Sequence, residues 1–331
     1  MIDIDSILTA PEIIPTSHHL TTANHWDHFF ARMGVKRGEH RVKPGLYSLG
    51  RPTPDSPVFV SANYTLSFDA LRTVLAGIDS YILVLDTQGI NVWCAAGKGT
   101  FGTNEIVTRV LSSRIKEIVT HRRLILPQLG APGVVAHEVK RLTGFLVEYG
   151  PVRARDLPAY LKTHQATSEM RRVRFTLRDR LVLIPVEVLH LLLPTILIAL
   201  VLYFLGGRMA ALMPVAVLLA STVVFPILLP WVPTPNFSTK GFILGGLVAL
   251  PFALSFFLQH PDWSLYRQIG ISFGSMLVMS TLTSYISLNF TGSTTFTSRS
   301  GVQKEIYKYI PVMAWALGPG IILIIGSVFI H

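Results

Sequence analysis

The chemistry open to this chain gathers around one thiol. Cys94 is the only cysteine in 331 residues, and it stands in TQGINVWCAAGKGTFGT, residues 87–103. A lone cysteine rules out a disulfide within the chain, and any zinc or iron–sulfur site built from several of its cysteines. Three readings of the segment compete. Gly97, Gly99 and Gly102 satisfy the G-x-G-x-x-G spacing of dinucleotide-binding loops, but the pattern begins about ten residues past the preceding strand rather than directly after it. A P-loop fails outright, because Val92 and Gly99 occupy the positions that need glycine and Ser or Thr. The second reading is a buried cysteine serving as a small apolar side chain, with Trp93 as simple core. The third is a metal ligand. Asn91–Gly97 can form one or two helical turns with Asn91 as N-cap. The helix dipole favours an anionic ligand atom in the first turn, and Lys98 adds positive charge nearby. Ala95, Ala96 and Gly97 carry almost no side chain, so a large flat ligand could approach closely.

The elements that must position this segment follow from apolar patterning. Val58–Ala62 and Ile82–Leu85 read as buried strands. Ser67–Ala76 reads as the helix between them, with Ser67 as N-cap and Gly77 as the stop. A second helix is expected from about Asn104 to Ile118 with Thr103 as cap, then a short strand at Leu124–Leu126 and a helical piece at Val134–Leu142. Strand–helix alternation predicts an α/β, Rossmann-like layer with a mainly parallel sheet. Such sheets bind ligands outside the carboxyl ends of their strands, here at loops 63–66, 86–103 and 127–133. On that rule Asn63, Thr65 and Gly130 are candidate ligand contacts, with Thr120 and Val152 as weaker ones.

The two halves of the chain differ. Residues 1–165 form the soluble domain, 166–180 a charged linker, and 181–331 a region dominated by Leu, Ile, Val, Phe, Ala and Gly. A bilayer core needs roughly 20 apolar residues per helix, and five stretches qualify or nearly so: about 181–205, 209–231, 241–258, 268–288 and 311–330. The net charge of +10 does not argue for nucleic acid, since much of the excess (Arg171, Arg172, Arg174, Arg178, Arg180) clusters beside the first apolar stretch. With the N-terminal domain inside, those arginines, Lys240, Arg299, Lys304 and Lys308 fall on the cytoplasmic side and only Arg208 and Arg267 outside. This predicts five spans in the inner (cytoplasmic) membrane, a multi-pass protein in contact with lipid. Residues 1–14, acidic and apolar without a basic start, do not read as a signal peptide.

Asn91-Val92-Trp93-Cys94-Ala95-Ala96-Gly97-Lys98 closely resembles the signature of the corrinoid proteins of bacterial mercury methylation, the HgcA family. That family joins a corrinoid-binding domain, similar to one in the corrinoid iron–sulfur protein of the acetyl-CoA pathway, to a membrane domain of five helices. A second segment, from Asn289-Phe290-Thr291-Gly292-Ser293 through Ser300-Gly301-Val302-Gln303-Lys304-Glu305, also looks like a corrinoid-protein sequence. The resemblance implies cobalamin as cofactor and Cys94 as the lower axial ligand of its cobalt. It further implies transfer of a methyl group with carbanion character to inorganic Hg(II), giving methylmercury. Within it, Asn91 caps the helix or bonds the sulfur, Trp93 packs the helix on the sheet, Gly97 and Ala95 give the macrocycle clearance, and Lys98 supports the thiolate. Asn63, Thr65 and the turn Pro127–Gly133 would hold the cofactor's edge or tail. Electrons would come from an HgcB-type ferredoxin with two [4Fe–4S] clusters. The alternatives are a corrinoid methyl carrier of one-carbon metabolism, and a membrane transporter or sensor with a nucleotide-binding domain.

Overall fold

The computed structural model describes residues 12–293 and 299–329. Residues 1–11, and 294–298 within the second corrinoid-like segment, lie outside them. The chain divides between Val173 and Arg174 into two compact units.

Among its described residues the first unit holds six strands, β1 (Ile13–Thr16), β2 (Gly45–Leu49), β3 (Val58–Ala62), β4 (Ser80–Leu85), β5 (Arg123–Leu126) and β6 (Leu146–Tyr149). They form one sheet in the order β1-β2-β4-β3-β5-β6. β3, β4, β5 and β6 run parallel, while β2 pairs antiparallel with β4. Every residue of β3 and β4 is buried, because helices cover both faces of a parallel sheet. Val58, Val60, Ala62, Leu83 and Leu85 pack on one face, and Phe59, Ile82 and Val84 on the other. The four parallel strands follow the doubly wound order in which the first strand lies between the second and third. The crevice of such a sheet opens where connections diverge, here at the carboxyl ends of β3 and β5.

Seven helical elements matter for the site: α1 (Thr22–Met33), α2 (Thr65–Val74), α3 (Val92–Lys98), α4 (Thr103–Ser112), the single turn Ile115–Ile118, α5 (Ala136–Thr143) and α6 (Leu157–Thr163). Two expected caps are corrected. α2 starts at Thr65, not after Ser67, because the Thr65 N–H is already taken by the His40 carbonyl (3.1 Å) and the Ser67 and Phe68 amides bond Tyr64. Gly102, not Thr103, precedes α4; a Cβ at Gly102 would meet the Gly99 carbonyl at 2.6 Å. The Thr103 hydroxyl accepts instead from the Val135 amide (2.8 Å). The helix expected through Ile118 breaks at Arg114, which adopts φ 50°.

Among the described residues of the second unit four helices are long and apolar enough to cross a membrane: Leu177–Leu228, α8 (Phe237–Gln259), α9 (Leu265–Asn289) and Ser300–Val328. The first, α7, is 52 residues in all but is broken at Gly207, whose φ 70° and ψ −163° are not helical, so a separate helix lies on each side of it, close to the stretches expected at 181–205 and 209–231. The fourth is α10. Small residues set the helix contacts: a Cβ on Gly245 would lie 2.7 Å from the Ser280 Cα, and one on Gly241 2.5 Å from the Ser284 Cα. Close backbone approach of this kind holds helices together where no water drives them. Across the bundle the Ser284 hydroxyl donates to the Ser238 carbonyl (2.7 Å). Glu305 accepts from the Ser238 amide and hydroxyl (2.6 and 2.8 Å).

Gly245→Ala is therefore expected to destabilise the bundle by about 1–3 kcal/mol through overpacking. Gly318→Ala, where an added Cβ meets nothing within 4 Å, should be neutral or slightly stabilising. Thermal unfolding of both variants in detergent separates them; equal midpoints would contradict the α8–α9 contact.

Candidate functional site

β4 ends at Leu85, and the chain then crosses the carboxyl edge before α3 begins. One buried side chain organises this crossing. Asn63, 1% exposed, accepts at Oδ1 from the Thr87 amide (3.1 Å), the Thr87 hydroxyl (2.9 Å) and the Gly89 amide (3.0 Å). Its Nδ2 donates to Asp86 Oδ1 at 3.1 Å. Its oxygen and one of its two amide hydrogens are committed to this loop. Asn63 shapes the loop that carries the site.

α3 starts as expected. Asn91 is its N-cap, accepting from the Cys94 amide at 2.9 Å. Val92, Ala95 and Ala96 turn into the core, and Ala96 lies against the turn after β5: a Cβ on Gly133 would sit 3.1 Å from the Ala96 Cα. Two expected roles are thereby exchanged. Ala95, fully buried, gives clearance to nothing outside, and the apolar side that seats the helix is Val92–Ala95–Ala96, with Trp93 only half-buried. The spacing explains it, since residues three and four apart share a helix face. The opposite face carries Asn91, Cys94, Gly97 and Lys98. Asn91, Gly97 and Lys98 are exposed and Cys94 half-buried. Among the described residues, an added Cβ on Gly97 or on Gly99 would meet nothing within 4 Å, so neither position is a packed one as Ala95 and Ala96 are.

The other expected contacts divide. Thr65 opens α2 at this same edge, and Val152 follows β6, its amide donating to the Met170 carbonyl at 2.8 Å. Gly130 lies in the 3-10 turn Gln128–Gly133, but it is buried against Phe101, whose ring would be 2.4 Å from an added Cβ; it is a packing glycine. Thr120 is misplaced. It precedes β5 and bonds Pro54 and Asp55, which precede β3, so it sits at the amino edge, across the sheet from Cys94.

The patterning of strands and loops did not reveal the layer that walls this edge. After α1 the chain passes over the loop at Gly89, where a Cβ would meet the Gly38 carbonyl at 3.3 Å. It is then tied down by Val42 N–H to Asn63 O (2.8 Å). His40, buried, fixes it: Nδ1 lies 2.7 Å from Asp27 Oδ1 and Nε2 2.6 Å from the Val35 carbonyl. Two acceptors require two N–H donors, hence an imidazolium. Burial alone would lower the His40 pKa, but the Asp27 carboxylate and Val35 carbonyl raise it above the usual value. Burial would likewise raise Asp27, yet the Thr65 hydroxyl and His40 hold it below the ordinary carboxylate value. Tyr64, at the end of β3, is raised by burial against the pull of Arg32 and Arg37, with Asp27 and Cys94 pushing it up. Those groups lie within electrostatic reach of the phenol, beside α3.

The pair has a pH signature. His40, raised when folded, stabilises fully below its unfolded value near 6.5 and loses that contribution as pH climbs through the folded value; Asp27, lowered when folded, loses its share only as pH falls through its folded value below 3.8. Wild type should accordingly unfold at a lower temperature at pH 9 than at pH 6, and His40→Gln should flatten that difference. A pH slope unchanged in the variant would refute the assignment.

Among the described residues no group of three or more His, Cys, Asp or Glu side chains could hold a metal ion. A metal at Cys94 would have to bring most of its ligands with it, as cobalt does in a corrinoid. The small residues of this face, its exposed Asn91, Gly97 and Lys98, and a partly buried Cys94 among them fit such a group.

Residues 36–161 match the family described as CO dehydrogenase/acetyl-CoA synthase delta subunit. Among curated relatives, the acetyl-CoA decarbonylase/synthase complex subunit gamma of Methanopyrus kandleri is 36% identical over 129 residues, 38% of this chain and 27% of that protein. Its counterpart from Archaeoglobus fulgidus is 31% identical over 133 residues, 39% of this chain and 27% of that protein. The corrinoid/iron-sulfur protein large subunit of Moorella thermoacetica is 30% identical over 129 residues, 38% and 28%. The chain thus spans about a quarter of the length of these relatives. The first unit, with Cys94 inside the matched stretch, carries a domain like that of the corrinoid/iron-sulfur protein large subunit.

Proposed function

We propose that this protein is a membrane-bound corrinoid methyl carrier in which Cys94 ligates cobalt. The observation that carries the reading is the outward face of α3, with Cys94 only partly buried between exposed Asn91, Gly97 and Lys98, in a domain like that of corrinoid-protein subunits. The corrinoid, when bound, would carry a methyl group between a donor and an acceptor. The chain's own residues prepare its seat. Asn91 fixes the first turn of α3 and so the direction of the sulfur. Gly97 and Gly99 add no side-chain bulk beside the sulfur. The loop held by Asn63 and the layer held by His40 supply the walls.

The relatives favour an acceptor of one-carbon metabolism. A second reading, transfer to Hg(II) as substrate, is favoured by the segment Asn91–Lys98 and by its sole thiol, since an anionic sulfur donor increases electron density on cobalt and suits a soft electrophile. With one cysteine the chain holds no iron–sulfur cluster of its own, so low-potential electrons would come from a partner, an HgcB-type ferredoxin in the mercury reading. The 52-residue α7, kinked at Gly207, is long enough for two spans, giving five in all with the first unit cytoplasmic.

The test is anaerobic titration of the purified chain with cobalamin, followed optically. A sulfur-to-cobalt charge-transfer band at one equivalent is expected; a spectrum identical to free cobalamin would reject the assignment. Single-turnover transfer from the methylated complex to Hg(II) or to a one-carbon acceptor then separates the readings.

A further inference from the structure

The polarity of α1 is inverted. Its inward side is ionic: His28 Nε2 lies 2.7 Å from Asp69, Asp69 bonds Arg72 at 2.5 Å, Arg72 reaches Asn24 (3.3 Å), and Asp27 holds His40. Asp69 and Arg72 are only 2% and 6% exposed. Its outward side is aromatic: Trp26, Phe29 and Phe30 are 58%, 45% and 43% exposed, with Val35 just beyond at 44%. The three rings touch one another, centroids 5.6–6.0 Å apart. A contiguous aromatic patch facing water is unfavourable unless something covers it.

We propose that this face of α1 docks on the anionic lipid surface of the membrane that the chain's own apolar helices enter. Three observations select lipid as the occupant. Trp and Phe on one side of a short helix suit the headgroup boundary, where an amphipathic helix lies in the plane of the bilayer. The exposed cations beside the patch, Arg32 and Arg37, complement anionic headgroups, while the nearby Asp27 carboxylate is turned inward onto His40 and Glu39 is paired with Lys36 at 3.1 Å. The described residues of the same chain include four helices long and apolar enough to span a bilayer, so lipid is present at high effective concentration. Docking would hold the layer that walls the Cys94 edge, since α1 leads directly into the His40 strap. The inference rests on the membrane-spanning reading but requires no bound corrinoid.

The test is hydroxyl-radical footprinting of the full chain, one copy per nanodisc, in phosphatidylcholine alone and in phosphatidylcholine with phosphatidylglycerol. Oxidation of Trp26, Phe29 and Phe30 should fall in the anionic discs and recover in high salt. Each cation near such a surface strengthens binding about five-fold, so Arg32→Ala with Arg37→Ala should reverse most of the protection. Leu111, 60% exposed on α4, calibrates the radical dose, and buried Phe59 of β3 reports an intact fold. Equal oxidation in both discs would overturn the proposal. So would protection that depends on protein concentration in detergent, which indicates a second copy, or that appears only on adding a partner protein. Failure of the chain to enter discs would remove the membrane reading, and the docking with it, while leaving the cobalt assignment standing.

Discussion

Cys94→Ala should abolish the sulfur-to-cobalt band and cut methyl transfer by more than about a hundred-fold, because even second-shell partners of a metal ligand cost about 10- to 100-fold. The variant should fold normally. The cysteine lies on the outward face of α3, half-exposed, and the contacts that seat the helix belong to Val92, Ala95 and Ala96. The helix start is equally unaffected, because Asn91 caps through the backbone amide of residue 94 and not its sulfur. Cys94→His is the sharper probe. It preserves a ligand atom in the first turn but substitutes a neutral nitrogen for an anionic sulfur, so binding should survive while transfer to a soft electrophile slows more than transfer to a one-carbon acceptor. Wild-type rates in Cys94→Ala would mean that the thiol is a bystander.

Asn63→Ala should unfold the carboxyl edge without touching any ligand. The substitution strands the amides of Thr87 and Gly89, both buried against Asn63 Oδ1, and leaves Asp86 without its amide partner. Each buried donor left unpaired costs about 1–3 kcal/mol, so a total of about 3 kcal/mol is expected, a fall of about 10 °C in the unfolding midpoint of a unit this size. The loss should appear in the protein without cofactor. If Asn63 instead contacts a corrinoid, the midpoint without cofactor will hold and only cofactor affinity will drop. Thr120→Ala, at the far edge of the sheet, should leave cobalamin binding unchanged and gives the contrasting control.

These outcomes separate what could be read along the chain from what could not. The strands Val58–Ala62 and Ile82–Leu85 were legible because a parallel strand covered on both faces is a short uninterrupted apolar run. Asn91 was legible as a cap because capping depends on residues three apart. β1, β2 and β6 were not, being four or five residues each at or near the sheet's margins and too short for a clear period. Which side of α3 faces inward was also undetermined: AAG looks like ligand clearance in one dimension, and only the position of Gly133 against Ala96 shows that the alanines are the packed side.

The amino-acid sequence alone determined that this protein has one thiol in a capped helical turn after a buried strand, followed by a long apolar region, because composition and local periodicity are properties of neighbours along the chain. Only the tertiary structure decided which groups share the carboxyl edge. Asn63 and Gly89, His40 and Asp27, and Tyr64 with Arg32, Arg37 and Cys94 are brought together by strand order and by the fold-back of α1. It also decided that Thr120 does not belong there, since the direction of β5 puts residues before the strand and residues after it at opposite ends of the sheet.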